Sequence, residues 1–302
     1  MRLSEQRIPQ VRPRWKRLEP AVWLLVAPLL LFLLLTLGFP LLANLFYSLT
    51  DLSFRNLRSP DLTGFGNFAS ALRDPVFWGG LGFSLRFALA ATFFEVLLGL
   101  LMALAFQPIL ERHRPLLALL LLPMMVAPAL LGTMYRLILN DFIGVVPDLA
   151  QRLGLFVNFL TPPLVVPTLV AIEVLQWTPF ALLILYTALQ AIPGELHEAA
   201  KVDGANSWQQ LRFVTLPLLV PALAITALIR FIDSFRVFDH IMVLTGGGPG
   251  TSTTSISIYI YLQFFRNDEL GTAIAASLFL LLLALVPLFI SMRVALREWG
   301  RA

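Results

Sequence analysis

Residues 21–47 read AVWLLVAPLLLFLLLTLGFPLLANLFY, and this stretch contains no charged side chain. An α-helix rises about 1.5 Å per residue, so roughly 20 apolar residues cross the hydrocarbon core of a bilayer. Because lipid offers the backbone no hydrogen-bond partner, an apolar segment of this length has to be helical. It is also too long for the apolar core of a cleaved signal peptide, so we expect a retained first membrane helix.

Five further segments repeat this pattern along the chain. Each is long, apolar and poor in charge, and each predicts another membrane helix: 80–107, 115–139, 164–190, 217–244 and 270–292. The composition agrees, since 58% of the 302 residues are hydrophobic and only 13% are charged, against about 25% charged in soluble proteins. The sequence therefore predicts an all-α integral membrane protein with six transmembrane helices.

The basic residues indicate the orientation of these helices. With the N-terminus inside, the cytoplasmic segments hold 13 Lys and Arg residues and the external segments hold five. Since Lys and Arg are enriched in cytoplasmic loops, both termini are expected in the cytoplasm. The expected organisation is a tail at 1–20, a transmembrane domain at 21–293 containing a cytoplasmic loop at 191–216, and a tail at 294–302. Charges that cluster at the ends of apolar segments argue against nucleic acid as a partner.

The cytoplasmic loop is the most informative polar segment. Residues 195–217 read ELHEAAKVDGANSWQQLRFVTLP and predict two short helices, broken at Asp203-Gly204 and restarted by a cap at Asn206 or Ser207. The alanines of the loop leave a surface of little bulk, beside the polar Glu198, Lys201 and Asp203. Such a surface suits either docking against another protein or an amphipathic segment on the membrane.

The same loop resembles the EAA loop of binding-protein-dependent ABC importer permeases. Three groups of residues match at matching spacing: Glu198-Ala199-Ala200, Asp203-Gly204-Ala205 and Leu216-Pro217. The loop departs from the pattern at His197, where tyrosine is common. In that family the loop is a coupling helix that sits in a groove of the ATPase subunit. The resemblance thus implies an ATPase-coupling role for Glu198, Ala199, Ala200, Asp203, Gly204 and Ala205.

Two further stretches are similar to the carbohydrate-importing, maltose-transporter-like branch of this family. They are residues 23–51, which end in YSLTD, and residues 243–254, which read VLTGGGPGTSTT. The resemblance implies a type I importer permease fold in a bacterial or archaeal cell membrane, working by alternating access on a sugar or sugar derivative. It also implies three kinds of partner: ABC ATPase subunits that bind ATP and Mg²⁺, a second and different permease, and an extracytoplasmic solute-binding protein.

The motifs of several enzyme classes are missing from the sequence. A P-loop needs Gly-Lys-Ser/Thr, but the only lysines, Lys16 and Lys201, do not follow glycine. The sequence His197-Glu198-Ala199-Ala200 begins like a zinc-protease motif, yet Lys201 stands where the second histidine should be. The absence of cysteine excludes thiolate chemistry. We therefore expect a non-catalytic subunit with no metal and no cofactor of its own.

Charged residues inside the apolar segments are the candidates for a transport path, because they are costly in a membrane. At helical spacing, one face of the fifth segment carries Arg230, Asp233, Ser234 and Val237, and one face of the fourth carries Gln176, Trp177 and Phe180. The resemblance implies that these stretches line the substrate site. Internal pairing of Arg230 with Asp233 is the structural alternative.

The chemistry of these residues suits a sugar. Aromatic faces match its C–H surfaces, and the polar groups can bond its hydroxyls. Arg230 also leaves an anionic sugar derivative open. The roles of Arg86, Glu95 and Glu173 stay unassigned. Buried carboxylates that relay protons would suit a rival class, an ion- or proton-coupled secondary transporter.

Overall fold

The computed structural model describes residues 20–299, and this part of the chain is helical, without a β-strand. The all-α prediction is confirmed for these residues. Most of the predicted tail at 1–20 and the last residues of the tail at 294–302 lie outside the described residues. In chain order the helices are α1 (Pro20–Leu33), α2 (Phe39–Tyr47), α3 (Gly66–Arg73), α4 (Pro75–Arg112), α5 (Arg114–Leu120), α6 (Pro128–Ile138), α7 (Val145–Arg152), α8 (Val165–Gln190), α9 (Gly194–Val202), α10 (Ser207–Gln210), α11 (Leu216–Phe235), α12 (Asp239–Thr245), α13 (Ile256–Phe265) and α14 (Leu270–Trp299).

Four helical stretches of the described chain are long and apolar enough to cross a membrane: Trp23–Tyr47, Pro75–Arg112, Val165–Gln190 and Ser207–Thr245. The first joins α1 to α2 through a π-helical turn at Leu34–Gly38, and the last includes a second π-helical turn at Leu211–Thr215. Shorter apolar helices are Ile256–Phe265 and Leu270–Leu285. Segments one, two, four and five of the sequence prediction thus correspond to the four long stretches.

The helices α4, α8 and α11 form the centre of the molecule. A close approach of α4 to α8 depends on Gly99, because a Cβ there would lie 2.7 Å from the Ala181 Cβ and 2.9 Å from the Leu182 backbone nitrogen. Phe87 of α4 and Leu169 of α8 are fully buried beside Ile241 of α12. The centre of the protein is therefore a tightly packed helix bundle, which can hold polar side chains in fixed positions.

The prediction of one continuous helix at 115–139 was wrong. The chain there forms α5, a 3₁₀ turn at Leu122–Met125, an extended link at Val126 and Ala127, and then α6. The cause is Pro128, which donates no backbone hydrogen bond and disfavours helical geometry at Ala127. Neither piece alone reaches the length of a membrane span.

The predicted helix at 217–244 also has a break. It ends as α11 at Phe235, and the chain resumes as α12 at Asp239. Gly246 then ends α12 in the left-handed conformation, with φ +61°. Residues 245–269, between the fifth and sixth predicted segments, contain the apolar helix α13, which the sequence did not predict. The break between α11 and α12 places several polar side chains at the ends of these two helices, inside the bundle.

Candidate functional site

A charged cluster is buried between α4, α8 and α11. Its centre is Arg230, whose side chain is 1% exposed, and its partners are Glu95 at 0% and Glu173 at 5%. The Arg230 Nε lies 2.6 Å from Glu95 Oε2 and the Nη2 lies 3.1 Å from Glu95 Oε1. This bidentate geometry is the strongest kind of side-chain ion pair. One arginine therefore joins three helices.

Every nitrogen of the Arg230 guanidinium has an acidic partner. Besides Glu95, its Nη2 donates to Glu173 Oε1 at 2.9 Å, and its Nη1 lies 3.6 Å from Asp233 Oδ2. Ser234 donates to the same Glu173 oxygen at 3.3 Å. The Arg230 Cζ lies 4.6 Å from the centre of the Trp177 ring, within cation–π range. The predicted pairing of Arg230 with Asp233 is present, but the two shorter pairs cross to other helices.

A polar cavity of about 270 Å³ lies beside this cluster. Trp177 and Glu173 of α8 form one wall, and residues around the break between α11 and α12 form the other. His240 lies 3.6 Å from Glu173 through its Nδ1, and among the described residues its buried Nε2 has no hydrogen-bond partner. The complete lining is Pro128, Glu173, Trp177, Arg230, Asp233, Arg236, Val237, Phe238, Asp239 and His240.

The predicted path residues fall into two groups. Those that line the cavity are Trp177, Arg230, Asp233 and Val237. The remaining three, Gln176, Phe180 and Ser234, do not line it. Ser234 is buried behind Glu173, Phe180 is half-buried elsewhere on α8, and the Gln176 Nε2 donates to the Val126 carbonyl at 2.8 Å.

Part of the cavity wall was not among the predicted path residues: Glu173, Arg236, Phe238, Asp239, His240 and Pro128. A usable signal existed for Glu95 and Glu173. Each is a lone carboxylate in an otherwise apolar helix, so each needs a counter-charge from another helix. Arg230 was the one arginine deep in the fifth segment. By contrast, Arg86 is exposed and its Nε donates to the Gly82 carbonyl of its own helix at 3.1 Å.

The second candidate site is the loop between α8 and α11. The predicted break is confirmed, since α9 ends at Val202 and Gly204 adopts φ +79°. Asn206 caps α10 in a capping box with Gln209. Of the six predicted coupling residues, four are exposed and two are half-buried: exposed are Glu198, Ala199, Asp203 and Gly204, and half-buried are Ala200 and Ala205.

Comparison with known proteins gives one consistent result. Residues 20–297 match the family described as "Binding-protein-dependent transport system inner membrane component". The chain is 34% identical to the trehalose/maltose transport system permease protein MalF of Thermococcus litoralis, over 89% of this chain and 92% of that protein. It is 30% identical to the trehalose transport system permease protein SugA of Mycobacterium tuberculosis, over 85% and 83% of the two chains.

A solved structure agrees with the fold. A chain in the crystal structure of a bacterial ABC transporter for the acidic polysaccharide alginate superposes with a TM-score of 0.78 at 24% identity, covering 92% of this chain and 96% of that one. The family match spans nearly the whole chain. The protein therefore belongs to the binding-protein-dependent transport system inner membrane components, the non-catalytic, multi-pass permease subunits of ABC transporters.

Proposed function

We propose that this chain is a permease subunit that moves a sugar or sugar derivative across the cell membrane of a bacterium or archaeon by alternating access. A separate ABC ATPase binds ATP and Mg²⁺ and drives the cycle. A second, different permease completes the pathway, and an extracytoplasmic solute-binding protein delivers the substrate. The observation that carries this proposal is the exposed α9–Gly204–α10 unit on a chain of this family. The names of the relatives support a sugar as substrate.

In this proposal the chain crosses the membrane six times with both termini in the cytoplasm. The broken pair α5–α6 makes the third crossing, and α14 makes the sixth. Together the two pieces α5 and α6 supply the length that each lacks alone. Residues 21–293 form the transmembrane domain with the coupling loop at 191–216, and the segments 1–20 and 294–302 are cytoplasmic tails. The excess of Lys and Arg on one side supports this orientation.

The coupling loop transmits the work of the ATPase. Its small side chains allow a close approach of the partner surface, and its polar groups bond to the rim of that surface. The coupling residues in this proposal are Glu198, Ala199, Ala200, Asp203, Gly204 and Ala205. The positive φ of Gly204 sets the angle between α9 and α10. Glycine adopts a positive φ at little cost in free energy.

The polar cavity beside Arg230 forms this chain's share of the substrate path. Trp177 offers an apolar face to the C–H surface of a sugar, and Asp233 accepts hydrogen bonds from its hydroxyls. Val237 shapes the wall between them. Arg230 and Ser234 fix Glu173, while Gln176 fixes the link between α5 and α6. Phe180 does not line the cavity, so we propose no substrate contact for it in this conformation.

The charges favour a neutral sugar over an anionic one. Arg230 is hydrogen-bonded to Glu95 and Glu173 and its Nη1 lies 3.6 Å from Asp233 Oδ2, so carboxylates of the protein already offset its positive charge before a substrate carboxylate arrives. The cavity wall carries three carboxylates, on Glu173, Asp233 and Asp239, against two arginines. An anionic sugar that entered this cavity would be repelled by these carboxylates in a medium of low polarity. The anionic derivative that the sequence left open is therefore disfavoured.

The rival function, a secondary transporter with proton-relaying carboxylates, has less support. Glu95 and Glu173 are both bound to Arg230, which commits them to ion pairs within the bundle. A relay carboxylate has to exchange protons with water along a path. The exposed coupling loop would also have no purpose in such a protein.

Purification of the tagged chain in mild detergent tests the proposal. We expect an ABC ATPase and a second permease to co-purify. Gly204→Pro should lose the ATPase and keep the second permease, because proline cannot adopt the positive φ of this turn. A chain that purifies alone or as a homo-oligomer, with no ATPase, would contradict the proposed function.

A further inference from the structure

A hydrogen bond ties the helix α9 to the π-helical turn that opens α11. The His197 Nε2 lies 3.1 Å from the Thr215 Oγ1. Among the described residues, this is the one side-chain hydrogen bond that joins α9 to another element. The remaining inner face of α9 borders a polar cavity of about 670 Å³, which the ends of α4 and α8 close on the other side. The helix therefore rests on few points, and His197 is one of them.

Thr215 is well placed to pass on a displacement. It is 5% exposed and is the last residue of the π-helical turn Leu211–Thr215, which continues directly into α11. Fifteen residues further along the same helix, or roughly 22 Å at 1.5 Å per residue, lies Arg230. Short π-helical turns inside α-helices often mark functional sites. A pull on Thr215 acts on the helix that carries the centre of the buried charge cluster.

A second contact holds the residue after the Gly204 turn to α10. The Gln210 Nε2 donates to the Ala205 carbonyl at 2.9 Å, directly after the Gly204 turn. With that contact alone, α9 could swing about the glycine. The bond from His197 to Thr215 adds a second point on the far side of the turn, so α9, the turn and the start of α11 are held in one orientation.

We propose that His197 is a positioning residue that makes α9 and the π-helical turn move as one body through its hydrogen bond to Thr215. The inference rests on the proposed function, since it concerns how a displacement imposed by the ATPase reaches α11. The Thr215 hydroxyl can donate to the Gln210 carbonyl, 3.4 Å away, while it accepts from His197. When the hydroxyl donates to Gln210, the imidazole proton lies on Nε2. With either tautomer, a side chain that lacks a hydrogen-bonding atom at position 197 cannot replace the histidine.

The test measures the distance between α9 and the π-helical turn in the complete transporter. Since the chain has no cysteine, spin labels can be attached at Glu195→Cys and Arg212→Cys, both of which are exposed positions. The partner subunits should be made free of cysteine. Pulsed electron paramagnetic resonance then gives the label distance without nucleotide and after trapping with ATP and vanadate.

With native His197 and Thr215, we expect the same distance distribution in both states, because the two elements move together. In Thr215→Val and in His197→Phe, the mean distance should shift between the states, since α9 follows the ATPase and the turn lags. Thr215→Ser keeps the hydroxyl and should behave as the native residue does. ATP hydrolysis measured on the same samples shows that each complex is assembled.

The inference is overturned by a state-dependent shift in the protein with native His197 and Thr215, or by the absence of a shift in Thr215→Val and His197→Phe. A serine variant as mobile as the valine variant would also overturn it, because size and not hydrogen bonding would then matter. If no ATPase associates with the chain at all, the proposed function fails first, and this outcome is distinct from an assembled complex with an unchanged distance.

Discussion

Replacing Arg230 by methionine should destabilise the helix bundle severely. The change leaves Glu95 and Glu173 buried without their counter-charge, at 0% and 5% side-chain exposure. Breaking a buried pair by removing one partner costs about 3–5 kcal/mol, because the remaining charge stays in a medium of low polarity. We expect the free energy of unfolding of the detergent-solubilised chain to fall by about that amount. Tryptophan fluorescence during a denaturant titration measures it.

A matched control lies less than two helical turns away. The side chain of Arg236 is 69% exposed and pairs with Asp233 at 3.1 Å. Because exposed ion pairs contribute only about 0–1 kcal/mol, Arg236→Met should change the unfolding free energy by no more than that. The same substitution at the two arginines therefore separates loss of the buried network from loss of a positive charge in general.

A rescue variant refines this prediction. Combining Arg230→Met with Glu95→Gln and Glu173→Gln removes all three charges of the cluster, so no buried charge is left unpaired. Replacing a whole buried ion network is often neutral for stability, and we expect most of the lost free energy to return. The reasoning is refuted if Arg230→Met unfolds at the same denaturant concentration as Arg236→Met, or if the triple variant is no more stable than the single one.

Three further variants probe the bundle, the loop and the cavity. Gly99→Ala should lower the free energy of unfolding by about 1–3 kcal/mol through overpacking of α4 against α8, whereas Gly82→Ala, which meets open space, should leave it equal or raise it by up to about 1 kcal/mol. Gly204→Ala should cost about 1–2 kcal/mol at its positive φ and weaken co-purification of the ATPase. Trp177→Ala should abolish ATP-driven uptake without loss of assembly, while Trp78→Ala, an exposed residue, should keep uptake.

Each of these variants can fail in a recognisable way. Equal stability of the two alanine variants of α4 would mean that the helices separate easily and that Gly99 is not a packing requirement. Full retention of the ATPase by Gly204→Ala would remove the angle of the turn from the coupling mechanism. Normal uptake by Trp177→Ala would exclude its ring from the substrate path and leave it a packing role beside Arg230.

The sequence predicted those features that depend on local pattern. The length of the apolar runs located the four long helical stretches. The turn at Gly204 followed from the conformational freedom of glycine. Asn206, which caps α10, was one of the two cap residues proposed from the sequence, because Asn and Ser are both good N-caps. In each case the information lies within a few residues of the chain.

Features that depend on contacts between helices were not predicted. The partners of Arg230 lie 135 and 57 residues away in the sequence, on α4 and α8. Helical spacing offered only Asp233 on the same helix. The bond from His197 to Thr215 likewise depends on how α9 folds back towards α11. Such contacts follow from packing geometry, which periodicity does not encode.

One error could have been avoided from the sequence. Pro128 lies in the middle of the segment predicted as a continuous third helix, and proline disfavours helical geometry at the residue before it. Mean hydropathy over the segment concealed this break because the apolar content stays high on both sides. A proline inside an apolar run should therefore be weighed as a break in its own right.

ATP-dependent uptake into proteoliposomes tests the central claim most directly. The purified complex, with its solute-binding protein, would be offered labelled maltose and trehalose, with ATP enclosed on the side that the α9–α10 loop faces. The account predicts sugar uptake that requires ATP hydrolysis and persists when ionophores collapse every ion gradient. Uptake without ATP that stops when the gradients collapse would contradict it, and would make the buried carboxylates Glu95 and Glu173 the leading candidates for the coupling site.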